Sequence, residues 1–310
     1  MAYDLTEPLV IGIGSRALFD LEYENRIFEE KGVGAYEDYQ IRHEKQVLQK
    51  GSAYGLIEAF LGLNRLREDG RLVEVIVMSR NSPNTSLRIF HSIEHYKLDI
   101  CRAALTGGAP IAPYLQPFRT DLFLSAYRPD VQQAIDNGIA AGVILTEGNY
   151  EREHSVSQIR IAFDGDAVLF SSDSERIYQQ EGLEAFAAHE REKADEPMKE
   201  GPFANFLKTL AHIQECYPDG DSAPIRTALV TARSAPAHER AIKTLRRWGV
   251  RVDEAFFLGG VEKRDVLSAF GAHIFFDDQY THAGPASQVV PAAVVPYKAG
   301  EDPKQLKAES

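Results

Sequence analysis

The stretch Arg26-Ile-Phe-x-x-x-Gly-Val-x-Ala-Tyr36 recurs as Arg176-Ile-Tyr-x-x-x-Gly-Leu-x-Ala-Phe186, 150 residues further along the chain. Gly51 and Gly201 keep the same offset. Ser79-Arg-Asn-Ser-Pro83 is echoed by Ala232-Arg-Ser-Ala-Pro236 at an offset of 153, and Arg88 with Arg240 and Gly107-Gly108 with Gly259-Gly260 at 152. Chance gives any one such match; a series in order at a nearly constant shift marks an internal repeat. The reading for these 310 residues is therefore two tandem copies of one α/β unit, 1–150 and 151–310, each of ordinary domain size. Their junction is expected in the polar stretch Glu147 to Ser157, too short to act as a loose tether.

Within the second copy, short apolar runs end repeatedly in polar groups. Ile161-Ala-Phe163 leads into Asp164-Gly-Asp166; Arg226-Thr-Ala-Leu-Val-Thr231 ends in a hydroxyl followed by Ala232-Arg233-Ser234; Phe256-Phe-Leu-Gly-Gly260 leads to Lys263; His273-Ile-Phe-Phe276 ends in Asp277-Asp278. Side chains alternate along a strand, so Asp164 and Asp166 share a face at the strand end, where an open parallel sheet places its ligand. An isolated Asp-x-Asp means little among 46 acidic residues. Four polar strand ends in order point to one edge of a doubly wound sheet.

This ordered set resembles the haloacid-dehalogenase-like (HAD) phosphohydrolases, with their Asp-x-Asp strand end, Ser/Thr strand end, Lys and acidic pair. The words Phe-Asp-Gly-Asp-Ala-Val-Leu-Phe, Val-Thr-Ala-Arg-Ser and Ile-Phe-Phe-Asp-Asp-Gln are similar to the cytosolic 5'-nucleotidase type I family across nearly the whole chain. The resemblance implies two Rossmannoid HAD-like units, each with a small helical cap insertion, that of the second copy at about 171–225. It implies a Mg²⁺-dependent hydrolase of AMP-like nucleoside 5'-monophosphates. In that chemistry Asp164 attacks phosphorus to form an aspartyl-phosphate, and Asp166 serves as acid and base. Mg²⁺ is held by Asp164, the Asp166 carbonyl and Asp277 or Asp278. Thr231 binds a phosphoryl oxygen, and Lys263 offsets the charge of the transition state. Arg233 and Ser234 are further phosphate-binding candidates. Tyr178, Phe186, Phe203 and Phe206 are candidates to stack on a base, although aromatics at helical spacing also build cores. Multimers and nucleotide activation are further properties the resemblance brings. Two rivals stay open: a phosphatase of sugar phosphates or other small monoesters, and a non-catalytic nucleotide-binding protein.

The repeat also shows what the first copy lacks. At the 150 offset, Gly14 and Arg16 stand where Asp164 and Asp166 do, and at 152 Ile111 answers Lys263 and Ser125-Ala126 answers Asp277-Asp278. Catalysis is expected in the second copy alone, with the first left to support the fold, an interface or regulation.

A net charge of −12 speaks against a nucleic-acid or anionic-membrane surface. No apolar run approaches the ~20 residues that span a bilayer, and the first residues lack a secretory pattern, so a cytoplasmic location is expected. Cys101 and Cys216 are too few for a disulfide framework and are expected as inert packing residues. Gly12-Ile-Gly-Ser-Arg-Ala17 fits a loose dinucleotide fingerprint, but no acidic strand end follows at ~20 residues. His91-Ser-Ile-Glu-His95 fits a zinc-protease word, but its counterpart Lys243-Thr-Leu-Arg-Arg247 cannot bind zinc, so a polar helix face is expected.

Overall fold

A computed structural model describes residues 4–146, 158–217 and 223–302. The expected junction at Glu147 to Ser157 lies outside the described residues. The strands are β1 (Leu9–Ile13), β2 (Phe19–Asp20), β3 (Gln49–Lys50), β4 (Val73–Ser79), β5 (Arg102–Leu105), β6 (Leu122–Ser125), β7 (Ala140–Ile144), β8 (Ile159–Phe163), β9 (Ile225–Thr231), β10 (Glu254–Phe257), β11 (Ile274–Asp277) and β12 (Ala292–Val294). All but β2 and β3, which form a small antiparallel ribbon, join one ten-stranded sheet. Its order is β10-β9-β8-β11-β12-β7-β6-β1-β4-β5.

Read outward from the middle, the two five-stranded halves have the same order: β7-β6-β1-β4-β5 mirrors β12-β11-β8-β9-β10. Every pairing within a half is parallel; β7 and β12 meet antiparallel. Even the registers agree. Ile13 lies opposite Val77 and Leu124, and Phe163 opposite Leu229 and Phe276. Central strands such as Leu9–Ile13 are buried throughout, as parallel strands covered on both faces must be. In β8, Ile161 and Phe163 join one apolar cluster with the helices Ala204–Glu215 and His238–Trp248. Ala162 joins another with Phe275, Leu267 and Phe270. The C-terminal half is thus wound with helices on both faces.

The repeated glycines keep matching roles. Gly32 (φ 79°) and Gly182 (φ 88°) each break a long helical stretch, in the left-handed region open to glycine. In the second copy the break leaves two helices, Asp173–Glu181 and Leu183–Glu192. At Gly201 a Cβ would lie 2.4 Å from the Phe170 carbonyl oxygen, and at Gly51 2.7 Å from that of Ala17, so both allow one close backbone crossing. Helix Ala204–Glu215 buries Phe206, Leu207, Leu210 and Ile213 against the sheet core. Its apolar face makes it a flanking helix, which corrects the expectation of a cap across all of 171–225. Cys101 and Cys216 are exposed thiols, contrary to the packing role expected of them. Among the described residues no helix is long and apolar enough to cross a membrane.

Candidate active site

Because β8, β9 and β11 run parallel, their carboxyl ends fall on one edge. Asp164 follows β8, Thr231 closes β9 and Asp277 closes β11. The Asp164 amide donates to the Phe276 carbonyl at 2.8 Å, which ties the two acidic strand ends together. Lys263 opens the helix Lys263–Phe270 and is 3% exposed. Its Nζ donates to Asp164 Oδ1 at 2.6 Å and to Asp277 Oδ2 at 2.7 Å. Asp277 Oδ1 accepts from the Gln279 amide at 2.8 Å, and His282 Nδ1 lies 3.4 Å from Asp277 Oδ2. Asp278 accepts from the Tyr297 hydroxyl. The Thr231 hydroxyl, 1% exposed, accepts from the Arg233 amide at 3.2 Å. It lies against the Asp164–Asp166 turn, 3.2 Å from where a side chain on Gly165 would begin.

One ammonium among three buried carboxylates leaves an excess of negative charge. Burial, opposed by Lys263 and reinforced by Asp277 and Asp166, pushes the Asp164 carboxyl up to about 7. Burial and the neighbouring Asp277 and Asp164 push Asp278 well above the carboxylate range. Burial would raise Asp277 as well, but Lys263 and His282 outweigh it and hold that carboxyl low. Lys263 keeps its proton more tightly than a free lysine, because Asp164 and Asp277 outweigh the cost of its burial. Oxygens of Asp164, Asp277 and Asp278 lie within 4.8 Å of one another. An all-carboxylate donor set with surplus charge is the chemistry that holds a metal ion, and a hard one.

A family model described as 5'-nucleotidase matches residues 1–302. This chain belongs to the 5'-nucleotidase family. It is 37% identical over 283 residues to "Cytosolic 5'-nucleotidase 1B" of Homo sapiens, an alignment covering 88% of this chain and 46% of that protein. The chain thus spans less than half the length of that relative.

Other residues of this 5'-nucleotidase family member stand elsewhere than the sequence reading put them. Arg233, read as a phosphate contact, is 3% exposed and spent on carboxylates. Its Nε donates to Asp166 Oδ2 at 2.7 Å and its Nη2 to Asp166 Oδ1 at 2.6 Å, while Nη1 donates to Glu190. Two acids within reach claim the guanidinium before a phosphate can. Ser234 is exposed on the loop after β9. Phe203 and Phe206, 0% and 1% exposed, pack on Phe163, and Phe203 also on Phe276, so neither has a face to offer a base. Phe186 is 9% exposed and lies under the Arg233 guanidinium at 5.3 Å; of the four aromatics only Tyr178 is open, edge-on to Phe186 at 6.1 Å. The His91 ring bonds the Glu44 carbonyl, in keeping with a polar helix face.

Glu190 was not singled out from sequence. Fully buried, it accepts from Arg233, from Arg240 at 2.9 Å and from Ser174 at 2.8 Å. Burial would raise its carboxyl, but Arg233 outweighs it, and the group is held below its ordinary value. The signal lay in the repeat. Arg88, the partner of Arg240, donates to Gln40 and Glu24, which stand 150 residues before Glu190 and Ser174. Glu175 was also missed; it accepts from Gln179 at 2.7 Å, and burial raises its carboxyl.

Proposed function

We propose that this protein hydrolyses nucleoside 5'-monophosphates, AMP-like ones included, to nucleoside and phosphate. The observation that carries this reading is the meeting of Asp164, Lys263, Asp277 and Asp278 at one sheet edge in a chain of the 5'-nucleotidase family.

Asp164 attacks phosphorus, the ester P–O bond breaks as the Asp164–P bond forms, and the leaving alkoxide takes a proton from Asp166. Asp166 then removes a proton from water as the water oxygen attacks phosphorus, which frees Asp164 and phosphate. Lys263 offsets charge on the transferring group, and the Thr231 hydroxyl donates to a phosphoryl oxygen. Arg233 orients Asp166, whose carboxylate must leave part of that grip to reach the substrate oxygen. Asp164, Asp277 or Asp278 and the Asp166 carbonyl are the groups to hold Mg²⁺. Bound there, it supplies the positive charge that lets a carboxylate approach a phosphate.

The helices Asp173–Glu181 and Leu183–Glu192 are the candidate cap, with Tyr178 the aromatic side chain free to meet a base. The matched strand orders support the reading of two tandem HAD-like units, the first without catalytic acids. The net charge of −12 supports small-molecule rather than nucleic-acid partners. The relative's name supports a cytosolic location.

The test is phosphate release across nucleoside monophosphates and sugar phosphates, with Mg²⁺ or chelator. Nucleotides are expected to be turned over in preference. Equal turnover of sugar phosphates would remove the nucleotidase assignment, and no release from any monoester would remove the enzyme.

A further inference from the structure

The N-terminal half has its own cavity at the carboxyl ends of β1, β4 and β6, of about 400 Å³, large enough for a small organic ligand. It is built like the catalytic edge. The Gly14 amide donates to the Leu124 carbonyl at 2.7 Å, as the Asp164 amide does to that of Phe276. By strand register Ser79 ends β4 where Thr231 ends β9, so the strand-end hydroxyl survives, bonded to the Ser15 hydroxyl at 3.1 Å.

What differs is the charge. A Cβ on Gly14 would lie 2.9 Å from Ser125 Oγ, so a side chain in the nucleophile's place would have to push Ser125 aside. Arg16 stands 150 residues before Asp166, which puts a guanidinium where the catalytic half has an acid. Two residues that line the cavity each carry a buried donor without a hydrogen-bond partner, Arg16 Nε and Asn81 Nδ2, while Arg16 Nη2 donates to Glu22 at 2.9 and 3.0 Å. Unmet buried donors are costly unless a ligand supplies acceptors. The acids of the lining are already engaged: Asp130 by Arg80, Glu37 by Asn84 and Glu29 by Asn25. Tyr127 and Phe28, 42% and 47% exposed, add apolar wall.

We propose that this cavity binds a phosphomonoester without a metal ion and without cleaving it. The phosphoryl oxygens accept from Arg16 and Asn81, and the organic part lies along Phe28 and Tyr127. The choice of phosphate over another oxyanion rests on the phosphomonoester reading of the C-terminal half.

The test is calorimetric titration of the full chain with phenylphosphonate, whose P–C bond resists hydrolysis, in the presence of chelator. One site per chain is expected. Asn81→Asp keeps the acceptor for the Tyr36 hydroxyl, and Arg16→Met removes the guanidinium, together with its part-exposed ion pair to Glu22, and keeps an unbranched stem. Each is expected to weaken binding at least about tenfold, the scale of one charge-assisted hydrogen bond, with Mg²⁺-supported turnover at saturating substrate unchanged. Metal-free binding that is absent, or that neither variant moves, overturns the proposal. Phosphate release by wild type is read in parallel. Its failure strikes the catalytic reading and leaves the binding result standing.

Discussion

Arg233 grips both oxygens of Asp166, at 2.7 and 2.6 Å, from a position only 3% exposed. A planar fork fixes a carboxylate in direction as well as distance, which lysine's point charge does not. Arg233→Lys is expected to lower kcat about tenfold or more, near 1.4 kcal/mol of transition-state stabilisation, with KM little changed. Steady-state kinetics on a nucleoside monophosphate checks this; a full kcat would show that Arg233 serves the fold alone.

Asp164→Asn removes the attacking oxygen while keeping its shape. Phosphate release should fall by at least about 10⁴-fold, the scale seen when a nucleophile is lost, while circular dichroism stays as in wild type. Activity within tenfold of wild type would move the nucleophile elsewhere.

Chelation should stop turnover, and Mg²⁺ should restore it. Because the ion binds the folded chain, Mg²⁺ at a hundred times its Kd should add about 2.7 kcal/mol of stability, read as a rise in Tm. Asp277→Asn should diminish that rise; a Tm indifferent to Mg²⁺ in wild type would argue against a resident ion.

Glu190 sets an acid limit on the fold. Its carboxyl is held below the ordinary value of 4.5, so the stability it contributes is fully present above that value and is lost as pH falls through the lowered one. Urea melts from pH 7 down to pH 3 should show a loss in wild type that Glu190→Gln largely lacks. At pH 7 the variant is expected to be less stable by about 3–5 kcal/mol, since it leaves two buried guanidiniums short of a carboxylate.

Phe203→Ala separates core from base stacking. With Phe203 fully buried against Phe163 and Phe276, the variant should lose about 3–5 kcal/mol of stability and keep its KM for nucleotides. A raised KM in a stable variant would restore the stacking role.

The strands β8, β9 and β11 were legible because each is an apolar run broken by a polar group, and the spacing of those groups located Asp164, Thr231, Lys263 and Asp277. The repeat was legible because glycines that permit a positive φ or a close crossing cannot be replaced freely. The partners of Arg233 were not. Whether a guanidinium meets phosphate or Asp166 depends on side chains 67 and 43 residues away, brought together only by packing. Phe203 and Phe206 share the helical spacing of a cap aromatic and of a core aromatic, and only the sheet beneath them decides.

Where β7 meets β12 the direction of the strands reverses. The two rows of strand ends therefore open on opposite rims of the molecule. A small molecule seated under Arg16 and a substrate at Asp164 never touch, and neither blocks the other's entrance. Any influence of one seat on the other within the sheet has that central antiparallel seam to cross.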